Sequence, residues 1–372
     1  MKILFLSNHD TCIYNIRLEM LIAFLDLGYE ITISSPYGSR IEDLKTLGCA
    51  YIETKFNNRG MNIKDDLLLI QQYRKVMQKV KPNIVLTFMI KPNIYGGIAA
   101  SKENIPFIAN ITGLGTALQK KGLPQKLIIN LYRFAFKKAS FVFFQNEGNL
   151  NFFKRNKINY QRAQLLPGSG VNLSKFLPLP YPETEVISFV FIGRVMKDKG
   201  IDHYLEAAKT ISSTSNLKVK FYICGSCDDA YEEIINKYHE AGLVTYLGRV
   251  ENIQEIYKIS NCTILPSYHE GLSNVLLESA ASARPVITTD INGCKEVVED
   301  GVTGLLIEPR STNALLAAIR KFLCLTDEQK QEMGKNGRLK VEKEFDRQYV
   351  VAAYLAVIKT LEKPREAKGD YL

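Results

Sequence analysis

Glu270 and Glu278, with seven residues between them, lie in the run Tyr-His-Glu-Gly-Leu-Ser-Asn-Val-Leu-Leu-Glu. The apolar stretch 262–267 ahead of them is β-prone. Residues 273–283 behind them are rich in helix formers and are stopped by Pro285. That order predicts a strand, a tight turn and a helix, with Glu270 in the turn at the strand's carboxyl end and Glu278 inside the helix. Ligands of open α/β sheets bind at that edge. The first N–H groups of such a helix, near Gly271, Leu272, Ser273 and Asn274, lack intrahelical partners and carry the positive end of the dipole, which suits a diphosphate. Carboxylates on either side accept hydrogen bonds from hydroxyls. The pattern therefore suits a sugar joined to a phosphorylated nucleoside, although two unrelated helix acids give the same spacing.

A second segment, Ile-Ser-Phe-Val-Phe-Ile-Gly-Arg-Val-Met-Lys-Asp-Lys-Gly at 187–200, again reads as strand, glycine, basic loop and helix. Gly193 lets backbone come close to a ligand. Arg194 supplies a fork of donors and Lys199 a point charge, a pair that matches a diphosphate chemically. Lys197 reads equally well as a surface lysine beside Asp198.

Together these segments resemble the retaining glycosyltransferases of family 4, which have the GT-B fold. The resemblance rests on Gly-Arg-x4-Lys-Gly at 193–200, Leu-Pro-Ser at 265–267, Glu-Gly-x5-Leu-Glu at 270–278, Arg-Pro-Val-Ile at 284–287 and Glu-Val-Val-Glu-Asp-Gly-x-x-Gly-Leu-Leu at 296–306. It implies an α/β protein with two doubly wound, Rossmann-like domains facing a central cleft. Arg194 and Lys199 would hold the diphosphate of a nucleotide sugar, with Glu270 on the donor-sugar hydroxyls and Glu278 on the ribose. Within the family the chain looks most like bacterial enzymes that extend polyprenyl-diphosphate-linked sugars in capsule, O-antigen and N-glycan assembly. The shared features are Ser7, Ile13, Tyr14 and Arg17 and the Gly-Leu-Gly at 113–115. Such enzymes often use UDP-N-acetylhexosamines. On the acceptor side the resemblance points to His9, Tyr14, Arg17, Lys91 and Thr112. Two departures stand out: Asn8-His-Asp-Thr-Cys12 replaces a glycine pair after the first strand, and Thr112 stands at or near the place of a usual histidine.

The elements that must position these residues alternate along the chain. Strands are expected at 2–7, 30–35, 83–88, 106–110 and 140–145, and helices at 14–27, 64–79, 94–103 and 124–138, giving a parallel sheet covered on both faces. Three prolines within 177–182 read as an extended linker, so the expected domains are 1–180, an acceptor-binding half, and 181–346, a nucleotide-sugar half. The second half runs from a strand at 187–192 to a strand at 302–307 and helices at 312–324 and 327–344. By the resemblance, a last helix within 347–372 packs back on the first domain.

The 372 residues, 46% hydrophobic and 23% charged, are enough for two ordinary cores. No apolar run reaches the length of a membrane span, and the opening is too short for a signal peptide, so a cytoplasmic protein is expected. Residues 1–180 hold 24 Lys and Arg against 11 Asp and Glu, whereas the remainder holds 24 against 28. In the first half, residues 120–138 mix lysines with large apolar side chains at helical spacing. That pattern fits a helix lying on anionic lipid at the inner face of the membrane, and equally a core helix with a solvated basic face.

Nucleic acid is not the expected partner: tryptophan is absent and no zinc-finger or RNA-recognition signature occurs. The first strand is not followed by Gly-x-Gly-x-x-Gly, which argues against a dinucleotide-dependent dehydrogenase. Seven scattered cysteines fit reduced thiols, with Cys224-Gly-Ser-Cys227 the one close pair. No Asp-x-Asp occurs and the four histidines are dispersed, so neither metal nor cofactor is expected. A non-hydrolysing sugar-nucleotide epimerase and a non-catalytic sugar-nucleotide-binding protein share the expected fold and stand as alternatives.

Overall fold

The structure, a computed structural model, describes residues 1–55, 62–114, 122–214 and 218–362. The chain forms two units, one of Met1–Ser169 together with the helix that follows Arg347, the other of Gly170–Arg347. The first unit contains β1 (Lys2–Leu6), α1 (Asp10–Asp26), β2 (Glu30–Ser35), α2 (Ile41–Thr46), β3 (Ala50–Glu53), α3 (Ile63–Val80) and β4 (Ile84–Phe88). It continues with α4 (Gly97–Lys102), entered through one π-turn at Pro92–Gly96, then β5 (Phe107–Ile111), α5 (Leu123–Phe136), β6 (Phe141–Phe144), α6 (Glu147–Arg155) and β7 (Ala163–Leu165). The second unit contains β8 (Ile187–Ile192), α7 (Ile201–Ser212), β9 (Val219–Cys224), α8 (Glu232–Glu240), β10 (Thr245–Tyr246), α9 (Ile253–Ile259) and β11 (Cys262–Leu265). It is completed by α10 (Asn274–Ala281), β12 (Val286–Thr289), β13 (Gly304–Ile307), α11 (Thr312–Leu323) and α12 (Asp327–Glu344), after which α13 (Arg347–Glu362) returns to the first unit.

Both sheets are parallel throughout the described residues, in the orders β3-β2-β1-β4-β5-β6-β7 and β10-β9-β8-β11-β12-β13. Each order reverses direction once, between β1 and β4 in the first unit and between β8 and β11 in the second. At such a switch point the two neighbouring loops lead to opposite faces and leave a crevice at the strands' carboxyl ends.

Strand alternation explains the layers. In β1, Ile3 and Phe5 pack with Ile13 and Phe24 of α1 and Tyr354 and Ile358 of α13, while Leu4 and Leu6 face Leu69 and Tyr73 of α3 and Tyr132 of α5. Both faces are apolar because both are covered. The strands expected from the sequence are present, with β13 beginning at Gly304. Helix α1 starts at Asp10, earlier than expected, with His9 as its extended N-cap.

The proline-rich stretch 177–182 is not a free linker. The fully buried Arg284 donates from Nε to the Tyr257 carbonyl (2.7 Å), from Nη1 to that of Leu179 (3.0 Å) and from Nη2 to that of Pro180 (2.6 Å). No carboxylate forms an ion pair with it among the described residues. Burial pushes its pKa down to about 10, against the pull of Tyr181. These bonds tie the stretch to the second unit, and Val171 exchanges backbone hydrogen bonds with Phe345 and Arg347. The boundary therefore falls between Ser169 and Gly170 rather than at 180.

Removing the guanidinium would leave the Leu179 and Pro180 carbonyls without this donor, each such loss costing about 1–3 kcal/mol, while the Tyr257 carbonyl keeps the Ser260 N–H. Arg284→Met is expected to destabilise the protein by about 3 kcal/mol or more, read as a lower denaturant midpoint with the slope unchanged. An unshifted midpoint would show that water replaces the arginine without cost.

Candidate functional site

The loops that leave β8 and β11, neighbours at the second unit's switch point, are packed backbone to backbone. The Gly193 N–H donates to the Cys224 carbonyl (2.9 Å) and the Val195 N–H to that of Ser226 (2.8 Å), extending the β8–β9 pairing past the sheet. A Cβ on Gly225 would overlap the Gly193 carbonyl. Gly200 sits at φ +73°, where a Cβ would overlap the Pro266 carbonyl, so only glycine lets the start of α7 touch the β11 loop there. The Tyr268 N–H then reaches the Asp198 carbonyl at 2.8 Å.

This approach brings Lys199 to Glu270: Nζ and Oε1 lie 2.6 Å apart, and the Ser267 hydroxyl donates to the same oxygen at 2.7 Å. The pair is well shielded, the Glu270 side chain being 10% exposed. Arg194 and Lys197, in the same loop, are exposed. Helix α10 follows with Ser273 as an extended N-cap whose side chain makes no capping bond, so the positive end of its dipole lies at the same edge. Leu272 and Ser273 are buried and Gly271 and Asn274 half-buried; the Ser273 N–H donates to the Gly293 carbonyl at 2.9 Å.

Glu278, the fifth residue of α10, has different surroundings. Burial pushes its carboxyl pKa up to about 7, against the charges of Arg347 and Lys175 and a hydrogen bond with Tyr257. Two acids spaced along one motif thus occupy contrasting environments, one against a lysine and one largely desolvated.

A cluster that the sequence reading did not single out lies behind the β11 loop. The Tyr268 hydroxyl is 2.8 Å from His203 Nε2, and His203 Nδ1 is 2.7 Å from Thr312 Oγ1. The Arg310 guanidinium covers the Tyr268 ring at 4.9 Å. The available signals were the position of Tyr268 two residues before Glu270 and of His203 four after Lys199.

In the first unit, the acceptor-side candidates separate. His9 is exposed at the start of α1, and its N–H and carbonyl both engage the Ser7 hydroxyl. Tyr14 is half-buried under the Arg40 guanidinium. Lys91 pairs with Asp66 at 3.2 Å, both side chains largely shielded, and Thr112 donates to the sulfur of Met89. His9 and Lys91 follow β1 and β4, the strands at this unit's switch point. Arg17 is not at the surface with them: it is 3% exposed, stacked on Phe88 and hydrogen-bonded to Tyr354, because its place on α1 turns it toward α13 and the sheet. Gly113 is described, whereas Gly115 lies outside the described residues, as do Lys120 and Lys121.

Cys224 and Cys227 are free thiols. Burial pushes Cys224 up to about 12 and raises Cys227, the opposite of the depressed pKa that redox dithiols need. Among the described residues no group of three or more His, Cys, Asp or Glu side chains is placed to hold a metal ion.

Comparison with known proteins bears on the fold and the class of the chain. Residues 181–340 match the family model described as Glycosyl transferases group 1, and residues 2–146 match Glycosyl transferase 4-like. An N,N'-diacetylbacillosaminyl-diphospho-undecaprenol alpha-1,3-N-acetylgalactosaminyltransferase of Campylobacter jejuni is 26% identical over 341 residues, 87% of this chain and 89% of that protein. A UDP-Gal:alpha-D-GlcNAc-diphosphoundecaprenol alpha-1,3-galactosyltransferase of Escherichia coli is 28% identical over 84% of this chain and 83% of its own. Anabaena HepE, solved in complex with UDP and glucose, superposes with a TM-score of 0.78 at 17% identity, covering 97% of this chain and 100% of that one. The protein is a glycosyltransferase with the GT-B fold. Its first part is similar to the Glycosyl transferase 4-like family and its second part to Glycosyl transferases group 1.

The Glu278 carboxyl yields a stability prediction. Its folded pKa lies above the unfolded value, so its protonated form stabilises the fold below about pH 4.5, and that contribution is lost as pH rises to about 7. Glu278→Gln removes the loss. Above pH 8 the variant is expected to exceed wild type in stability by on the order of 1–3 kcal/mol, partial solvent access setting the lower end, and to match it near pH 4. Urea titrations at both pH values measure this, and parallel curves for the two proteins would contradict the desolvated environment.

Proposed function

We propose that this glycosyltransferase transfers a hexose or N-acetylhexosamine from a UDP-sugar to a hydroxyl of a saccharide carried on a polyprenyl diphosphate, with retention at the anomeric carbon. The observation that carries the reading is the Lys199–Glu270 contact at the switch point of the second unit, beside the start of α10. A cation and a carboxylate held together there match the two halves of a nucleotide sugar. The lysine turns to the diphosphate and the carboxylate to the sugar hydroxyls. The relatives whose names specify diphospho-undecaprenol acceptors support the acceptor class, and UDP in the names of both the Escherichia coli enzyme and the HepE complex supports the nucleotide.

In the proposed reaction the bond from the anomeric carbon to the diphosphate oxygen breaks as the acceptor oxygen bonds to the same face of that carbon. The acceptor proton passes to the departing diphosphate. Negative charge grows on UDP, where Lys199, Arg194 and the α10 N-terminus, with Gly193 and Gly271 allowing close backbone approach, stabilise it without a divalent metal. Glu278 takes the ribose hydroxyls. In the first unit His9, Tyr14, Lys91 and Thr112 serve the acceptor.

Glu270→Ala is expected to lower turnover with little change in UDP affinity, whereas Glu278→Ala weakens UDP itself. Lys199→Ala should cost about 10²–10³ in kcat, the loss typical of one preorganised donor, and EDTA should leave wild type active. Calorimetry with UDP and a screen of UDP-sugars for UDP release measure all four. Equal UDP affinity in the two glutamate variants would remove the role division, and activity abolished by EDTA and restored by magnesium would remove the metal-free mechanism.

A lipid-linked acceptor brings the enzyme to the inner membrane face, and the first unit supplies a surface for it. No helix among the described residues is long and apolar enough to cross a membrane. Helix α5 buries Ile128, Ile129, Tyr132 and Phe136 in the core, yet leaves Leu123 (81%), Leu127 and Phe134 (61%) exposed among the exposed Lys126 and Arg133, with Lys137 and Lys138 just beyond its end. We expect sedimentation with anionic but not neutral vesicles. Attraction should fade as the Debye length falls from about 10 Å at 0.1 M to 3 Å at 1 M salt, and should be lost when Lys126, Arg133, Lys137 and Lys138 are changed to glutamine. Undiminished binding by that variant would move the contact elsewhere.

A further inference from the structure

Donor binding poses a mechanical problem for the β11 loop. On the reading above, Lys199 turns to the diphosphate and Glu270 to the sugar, so the bond that joins the two loops is shared with, or surrendered to, the substrate just when Glu270 must be held in register. Something independent of that pair has to fix the loop. Three contacts converge on Tyr268, two residues before Glu270: its N–H on the Asp198 carbonyl (2.8 Å), its ring under the Arg310 guanidinium, and its hydroxyl on His203 Nε2 (2.8 Å). His203 rises from the first turn of α7, directly after the Lys199 turn, and its other nitrogen meets Thr312 Oγ1, the first residue of α11. Arg310 is one of few non-glycine residues with positive φ (63°), a costly conformation that sets its guanidinium over the tyrosine.

We infer that His203 is a positioning residue for glycosyl transfer: with Thr312 behind it, it clamps Tyr268 and so holds Glu270 on the donor sugar after Lys199 has left Glu270 for the diphosphate. Both imidazole nitrogens are engaged by protein side chains, Tyr268 and Thr312, so the ring acts through the loop. It joins three segments, the phosphate-side helix α7, the donor-side loop and the start of α11, through two hydrogen bonds that the substrate does not compete for. Neutral imidazole, one nitrogen donating and the other accepting, fits between two hydroxyls because each hydroxyl can take either role. Desolvation favours that neutral form.

The two nitrogens can be tested separately. A glutamine amide reaches the place of Nε2 and keeps a partner for Tyr268, whereas an asparagine amide reaches only the place of Nδ1 and keeps Thr312. Tyr268→Phe removes the hydroxyl and leaves the ring under Arg310. Amide hydrogen exchange across residues 267–273 is the first readout and needs no donor. Tyr268→Phe and His203→Asn should speed exchange there by about tenfold, the upper range for one net hydrogen bond, and His203→Gln, which keeps the Tyr268 bond and gives up only the one to Thr312, should lie closer to wild type. UDP release from UDP-galactose and UDP-N-acetylgalactosamine is the second readout. Tyr268→Phe and His203→Asn should lose about tenfold in kcat with UDP affinity unchanged, and combining them should cost no more than either alone. Unaltered loop exchange in Tyr268→Phe, or asparagine and glutamine behaving alike, overturns the clamp, as does a loss that only tracks a lowered melting temperature. If wild type releases UDP from neither sugar, the donor assignment fails while the exchange measurement still decides the clamp.

Discussion

The Lys199–Glu270 contact is the interaction around which the second unit is arranged. An ion pair this shielded contributes little to stability, because desolvating both charges offsets most of their attraction. Its surroundings are nevertheless costly to build. Gly200 must take a left-handed conformation against the Pro266 carbonyl, Gly225 must lack a side chain beside Gly193, and the Ser267 hydroxyl must turn inward to Glu270. These constraints make sense if the pair stands in, with its own opposite charges, for the anion and hydroxyls that a nucleotide sugar presents. They also explain why the strand order matters. Between β8 and β11, the second unit's switch point, two adjacent loops leave the sheet and still meet.

Much of this site was legible in the sequence because its signals are local. Strand, glycine, basic loop and helix follow one another within 187–200, and strand, acid, glycine and helix within 262–281, so Lys199, Glu270 and the start of α10 could be placed on the same sheet edge before any coordinates. What was not legible depends on contacts between segments far apart in the chain. Arg284 looked like part of a family motif, and only the structure shows it reaching back to Leu179 and Pro180 and turning an expected linker into part of a domain. Arg17 shares a helix with Tyr14, but Tyr14 is half-buried under Arg40 whereas Arg17 is buried against Phe88 and Tyr354. The short pieces α2, β3, α6 and β7 were missed for a different reason: β3 and β7 lie on the sheet margins, are only partly covered, and lack the continuous apolar run of the central strands.

Two of the buried guanidinium groups show how a positive charge is accommodated without a carboxylate. Arg284 is satisfied by backbone carbonyls from two segments, so its role is to fasten chain. Arg17 lies over the Phe88 ring, donates to the Ile16 carbonyl and bonds the Tyr354 hydroxyl, fastening α13 to the first unit from the inside. A chain that leaves the first unit at Ser169 and returns after Arg347 needs such an anchor, since a terminal helix with few polar ties frays readily.

The division of labour proposed for the two spaced glutamates is consistent with their solvation. Glu270 lies against an ammonium and a hydroxyl, so a donor sugar that takes its hydrogen bonds replaces partners of the same kind and the exchange is nearly balanced. Glu278 sits in a site that raises its pKa to about 7 despite Arg347 and Lys175, so its carboxylate lacks much of the solvation it would have in water. A ribose hydroxyl arriving there restores part of that missing solvation. The first acid is thereby suited to positioning, where bonds must be exchanged without cost as the reaction proceeds. The second is suited to affinity, where a bound hydroxyl would supply stabilisation that the protein alone does not.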